Sequence, residues 1–187
     1  MKNRQPATDS LAGSLLLAHP AMQDPNFARA VVLLSAHDEE GALGVVINRP
    51  TGQVLGEVDP EFLGGMIEET PIFAGGPVQT DRLIICAIGI HPDGEGLRLH
   101  FGLEPDKAEA LMVEQGDRLD LRAFMGHSGW GAGQLENELK HHTWAVSAIP
   151  ADLLLREPDE SLWRGVISQI GPEWRLLAHE PEDPERN

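Results

Sequence analysis

The order of apolar and polar runs predicts an α+β fold. Three observations carry this. The first half of the chain consists of short apolar runs of strand length. The last third holds a clear amphipathic helix. The two kinds of segment mix without the strict strand–helix–strand rhythm of a doubly wound parallel sheet.

The elements follow in order. Residues 14–18 and 30–36 are apolar runs of strand length. The second leads into the polar stretch His37-Asp38-Glu39-Glu40-Gly41 and then another run at 43–48, which predicts a hairpin. Neither run alternates cleanly, so both faces of these strands are expected to be covered. Residues 54–67 support at most a short helix, weakened by Gly56, Pro60, Gly64 and Gly65. Further strands are expected at 71–74 and 83–90. Between them Gly75-Gly76-Pro77 is a turn, because Gly tolerates positive φ and Pro fixes its own. His91-Pro92-Asp93-Gly94 reads as a loop and 97–101 as a short strand. Pro105 stands where a helix begins, ahead of Ala108, Leu111 and Met112. At 118–124, Leu119, Leu121 and Ala123 alternate with charged partners, the pattern of a half-exposed strand. A helix is expected within 131–141, where Leu135 and Leu139 stand four apart, and a strand at 144–149. Asp159 is an N-cap for the last helix, in which Leu162, Trp163, Val166, Ile167 and Ile170 form one stripe and Gly171-Pro172 gives the stop.

With 187 residues, 41% of them hydrophobic and 24% charged, the chain has the size and composition of one globular domain. That domain is expected over 11–178, with disordered tails at 1–10 and 179–187, the second strongly acidic. No apolar run approaches the roughly 18 residues of a membrane span, and the polar first ten residues lack the apolar core of a signal peptide. The one cysteine, Cys86, has no partner for an internal disulfide. A cytoplasmic protein without membrane contact is therefore expected. Thirty acidic against 14 basic residues give a net charge of −16, and no Lys/Arg cluster interrupts it. Nucleic-acid binding draws its affinity from neutralised phosphates, so direct DNA binding is not expected. With no Tyr and 5% aromatics, no stacking platform for single strands is visible either.

The segment richest in chemical features is Gly126-His127-Ser128-Gly129-Trp130-Gly131-Ala132-Gly133-Gln134-Leu135-Glu136. A glycine-rich turn entering a helix presents free backbone N–H groups to an anion. Neither known phosphate template fits. Gly131 is followed by Ala132 where a Walker loop needs Lys, and Gly129 and Gly133 frame the wrong spacing for a dinucleotide fingerprint. Gly126-His127-Ser128 begins like a nucleophile elbow, but Trp130 occupies the position of the second elbow glycine. Cys86 lies inside an apolar run, where a thiol is a small buried hydrophobe. The histidines have no metal-ligand spacing, so no metal and no cofactor is assigned. Asn48-Arg49-Pro50 follows an apolar strand and places a guanidinium at its end, suited to a carboxylate or phosphate.

Several segments together resemble the bacterial YqgE/AlgH-like family. They are residues 17–27 (Leu-Ala-His-Pro-Ala-Met-Gln-Asp-Pro-Asn-Phe), Gly41-Ala42-Leu43-Gly44 with Asn48-Arg49-Pro50, and Gly75-Gly76-Pro77-Val78. Most specific are Ser128-Gly129-Trp130 with Gly133-Gln134-Leu135-Glu136, then Trp144, then 152–155 with Trp163. The resemblance implies a bifurcated, mostly antiparallel sheet curled into a pseudo-barrel with packed helices. The family has no settled biochemical activity, some members carry the label of transcriptional regulator, and no catalytic residue is implied. His127 holds a slot that is aromatic in the family.

Two functional classes follow. The first is a non-enzymatic regulatory or ligand-binding protein, whose partner is another protein or a small anionic ligand. Its candidate site joins Asn48, Arg49 and Pro50, Gly75, Gly76 and Pro77, and Ser128, Gly129, Trp130, Gly131, Gly133, Gln134 and Glu136, with Arg49 as the anion contact. The alternative is a hydrolase using the Gly126-His127-Ser128 turn.

Overall fold

The computed structural model describes residues 10–90, 97–150, 152–153 and 156–178. The expected tails at 1–9 and 179–187, the loop at 91–94 and the family segment at 154–155 lie outside the described residues. Among the described residues nine strands run β1 (Leu15–Ala18), β2 (Val31–Asp38), β3 (Gly41–Val46), β4 (Pro50–Val54), β5 (Pro71–Ala74), β6 (Val78–Ile90), β7 (Leu97–Phe101), β8 (Leu119–Gly131) and β9 (Trp144–Ser147). Five helices accompany them among the described residues: α1 (Leu55–Val58), α2 (Pro105–Gln115), α3 (Gln134–Lys140), α4 (Glu160–Ile167) and α5 (Pro172–Ala178).

The strands form one mixed sheet in the order β4-β5-β8-β3-β2-β1-β9, with β6 also on β8 and β7 on β6. Every pairing is antiparallel except β5 with β8. The sheet curls into a half-barrel, and β8 is where it forks. Along one edge β8 pairs first with β5, through Phe73 opposite Phe124, and then with β3, through Leu43 opposite Gly129. Its other edge holds β6, with Cys86 opposite Arg122.

Side-chain alternation distributes the core. Leu15, Leu17, Val31 and Leu33 point into the half-barrel, where they meet Phe73, Phe124 and the α4 residues Leu162, Trp163, Val166 and Ile167. Leu16, Ala18, Val32 and Leu34 point the other way, onto Trp130, Leu135 and Trp144. The strands therefore have two covered faces, as their continuous apolar runs imply. A third cluster packs α2 through Ala108 against Ile85, Leu121 and Ala123. The stripe of α4 fills the half-barrel; Asp159 accepts from Ser161 N–H (2.8 Å) and Trp163 Nε1 donates to Ala18 O (2.9 Å).

Several elements differ from the sequence reading. The predicted polar loop at 37–41 shrinks to Glu39-Glu40, because β2 continues to Asp38 and β3 starts at Gly41. Gly41 has φ +138°, and a Cβ there would stand 2.1 Å from Trp130 O, so only glycine lets β3 approach β8 this closely. Residues 54–67 hold only the single turn α1 and a 3-10 turn at Pro60–Phe62, while β4 precedes them as an unpredicted edge strand. Pro172 opens a further short helix rather than merely ending the previous one, since proline suits a first helical turn. The charged side of β8 is solvent-facing only in part, with Asp120 partly exposed and Arg122 buried. Arg122 is 5% exposed; its Nε donates to Asp120 Oδ2 (2.6 Å), and its guanidinium carbon lies 5.2 Å from the centre of the Phe73 ring.

Candidate functional site

The glycine-rich segment is strand rather than turn as far as Gly131, with only Ala132-Gly133 bending into α3. Pairing with β3 decides this, since Gly41 and Leu43 sit opposite Gly131 and Gly129. Gly133 takes the left-handed conformation (φ +72°) and Gly131 N–H donates to Gln134 Oε1 (3.1 Å). The backbone donors of the predicted anion turn are thus partly used by the chain itself.

Two of the three predicted turns meet at the fork. Arg49 O accepts from Ala74 N–H (2.9 Å), and Pro50 pairs with Phe73. Gly75 N–H donates to Met125 O (2.9 Å), while Gly75 O accepts from Val46 N–H (2.8 Å) and Ser128 Oγ (3.2 Å). Gly76 (φ +149°) lies so close to β8 that a Cβ would stand 2.3 Å from His127 O. Pro77 is exposed beyond it. Gly75 and Gly76 therefore clasp β3, β5 and β8 where β8 changes partner.

The polar side chains at this junction are engaged in holding the fold. Asn48, 5% exposed, accepts from Val31 N–H through Oδ1 (2.8 Å) and donates from Nδ2 to Arg29 O (2.9 Å). Arg49 does not present its fork to a cleft. Its two terminal nitrogens donate to Pro25 O (2.7 Å) and Ala28 O (2.9 Å), bracing the back of the loop between β1 and β2. Burial holds its pKa below the ordinary value, with nearby Asp24 pulling the other way. Ser128 is fully buried and its hydroxyl is spent on Gly75 O. His127 is its neighbour on an extended strand, so the two side chains face opposite sides of the sheet and form no nucleophile–base pair. Burial, then Arg82, keeps the His127 pKa below its usual value. Burial pushes the Cys86 thiol up to about 12, which leaves it protonated and inert at neutral pH.

The third predicted turn borders a cavity of about 350 Å³ lined by Met22, Asp24, Phe27, Gly129, Trp130, Gln134, Glu138, Thr143 and Trp144. Three of the predicted residues, Gly129, Trp130 and Gln134, line it. Asn48, Arg49, Pro50, Gly75, Gly76, Pro77, Ser128, Gly131, Gly133 and Glu136 do not. Arg49 reaches it indirectly, by bracing the loop whose Asp24 and Phe27 form one wall. Trp130 and Trp144 cross edge to face with ring centres 5.9 Å apart, and Phe27 stands edge-on to Trp144 at 5.5 Å. Both indoles are locked by one carboxylate, since Glu138 Oε2 accepts from Trp130 Nε1 (2.9 Å) and Trp144 Nε1 (2.7 Å). Glu138 Oε1 accepts from Gln134 Nε2 (2.9 Å) one turn earlier on α3. No Lys or Arg is among the lining residues.

Where α3 faces β2, Glu136 Oε1 meets the buried His37 Nε2 at 2.9 Å. Since His37 Nδ1 accepts from Leu11 N–H (3.0 Å), its proton sits on Nε2 and is donated to Glu136. Hydrogen bonding, first from its own backbone N–H and also from His37, depresses the Glu136 pKa. No group of three metal-binding side chains occurs among the described residues.

Comparison with known proteins places this architecture. The model of the AlgH-like family matches residues 15–175. The chain belongs to the AlgH-like family. It is 42% identical to a UPF0301 protein of Streptomyces avermitilis over 95% of this chain and 96% of that one. It is 35% identical to one of Parabacteroides distasonis over 95% and 91%. The solution structure of the AlgH protein of Pseudomonas aeruginosa superposes with a TM-score of 0.63 at 32% identity, covering 98% of this chain and all of that one. Protein DIP2367 of Corynebacterium diphtheriae, at 21% identity and a TM-score of 0.68, shares the fold over 96% and 95%.

Membership in the AlgH-like family agrees with the resemblance read from the sequence. That reading missed Met22, Asp24, Phe27, Glu138, Thr143 and Trp144 as cavity residues. A signal was present for some of them. The segment 17–27 and Trp144 were among the matching family pieces, and Glu138 follows Gln134 at helical spacing.

Proposed function

We propose that this protein is a non-enzymatic ligand-binding protein of regulatory type, acting through the cavity between α3 and the loop at 19–29. One observation carries the reading. A single carboxylate, Glu138, fixes two tryptophans and a glutamine around a concave space walled in part by aromatic rings. A few polar groups on rigid elements, set among apolar walls, are how small-molecule sites are generally built. Direct DNA contact does not belong to this reading, because a chain of net charge −16 repels phosphate. A regulatory role would run through the ligand and a protein partner. A single cysteine, buried and protonated, suits the cytoplasm.

The test uses the indole N–H signals. In a proton–nitrogen NMR screen of charged and neutral metabolites, bound compounds are expected to shift Trp130 and Trp144 while leaving Trp163, bonded to Ala18 O inside the half-barrel, in place. A screen in which no compound moves the Trp130 and Trp144 signals would sink the proposal.

A further inference from the structure

The cavity's charge and hydrogen bonding point to the class of ligand. Glu138 is held by three N–H donors, all uncharged, and no Lys or Arg lines the cavity to neutralise it. Asp24 adds a second carboxylate at the rim, with Arg49 behind it. The walls are the rings of Phe27, Trp130 and Trp144 and the thioether of Met22. Carboxylate charge together with aromatic rings attracts a cation and repels an anion. This reverses the anionic ligand expected from Arg49, whose guanidinium is committed to Pro25 O and Ala28 O.

The hydrogen bonding narrows the class further. Glu138 Oε2 already accepts twice and Oε1 once, and Asp24 Oδ1 accepts from Asn26 N–H (2.8 Å). Three of the roughly four lone-pair sites of Glu138 are thus taken, so beside the indoles the site offers charge more than free acceptors. A primary ammonium carries three N–H donors, and losing their water without replacement is costly. An alkylated ammonium has few or no donors to satisfy and spreads its charge over methyl groups that suit aromatic walls. We propose that the cavity binds a small alkylated ammonium ion, a deeper statement of the ligand-binding reading on which it rests.

The experiment titrates the full chain with choline, with its uncharged isostere 3,3-dimethyl-1-butanol and with ethanolamine, read by calorimetry and by the Trp130 and Trp144 indole signals. Choline is expected to bind saturably and about tenfold or more tighter than the isostere, and tighter than ethanolamine. Glu138→Gln should lose most of that preference. Asp24→Asn, at an exposed loop position, should weaken choline severalfold with the fold intact. Equal binding of choline and the isostere, or preference for ethanolamine, would overturn the inference. So would a folded Glu138→Gln or Asp24→Asn protein that binds choline as tightly as the parent. If neutral or anionic compounds move the two indoles and choline does not, the ammonium inference fails while the ligand-binding reading stands. If no compound of any charge moves them, both fail.

Discussion

At the scale of single residues, the side chains with the most suggestive chemistry in the sequence are committed to holding the fold. Trp130 is 6% exposed and packs with Phe27, Leu135 and Trp144. Trp130→Ala should cost about 3–5 kcal/mol in chemical denaturation, as for other core aromatics. A loss under about 1 kcal/mol would show that the ring is not part of the core. Ser128→Ala removes a buried donor to Gly75 O and should cost about 1 kcal/mol with no effect on ligand binding. His127 gives a pH signature. Burial lowers its folded-state pKa below 6.5, so as pH falls the unfolded chain takes up this proton first. The group is neutral in both states well above pH 6.5 and has no effect there. Below that it opposes folding, increasingly so until the lowered folded-state value is passed. An NMR titration should place the His127 midpoint below the ordinary histidine value of about 6.5; a midpoint at or above that value would contradict the burial argument.

At the scale of elements, loops and strand ends gain their meaning from what they are laid against. Arg49 donates to two carbonyls of the loop at 24–29, so Arg49→Ala should cost about 1.5–3 kcal/mol, in the range of hydrogen bonds to charged groups. Faster hydrogen exchange of that loop should accompany it. Gly76→Ala introduces a methyl 2.3 Å from His127 O at a φ of +149°, and about 3 kcal/mol or more of stability should be lost. Near-parental stability of that variant would mean that the fork has room to open. The sequence made the buried strands legible because covered strands read as continuous apolar runs, as in β1, β2 and β5. It also made α2 and α4 legible through Pro105 and the Asp159 cap. The glycines of β8 look like a turn to any local reading, and only the distant partner β3 makes them a strand. The same holds for the cavity. Trp130 and Gln134 stand in a conspicuous motif, whereas Phe27 and Glu138 become neighbours of each other only through the sheet order that sets β1 beside β9 and β3 beside β8.

At the scale of the whole molecule, charge sets the company the protein keeps. With a net charge of −16, the folded chain repels itself, and added salt screens that repulsion over roughly 10 Å at 0.1 M. Thermal unfolding midpoints should therefore rise as sodium chloride increases from low to physiological concentration. Anisotropy titrations with duplex DNA should show no binding tighter than the roughly 10⁻⁴–10⁻⁶ M of non-specific contacts. Submicromolar binding would require a cationic surface, which 14 basic residues against 30 acidic ones do not favour.

The fork in β8 also bears on how the chain reaches this structure. One strand completes both branches of the sheet, and its partners β3 and β5 come from much earlier in the chain. Neither branch can close by local zippering, because the chain must first bring distant segments together and lose loop entropy. Folding should accordingly be slow for a chain of this size, with the arrival of β8 as its late, committing event. Once seated, β8 has no free edge along Ala123–Met125, where β5 lies on one side and β6 on the other. The amides of that stretch should exchange with solvent only when the whole molecule unfolds.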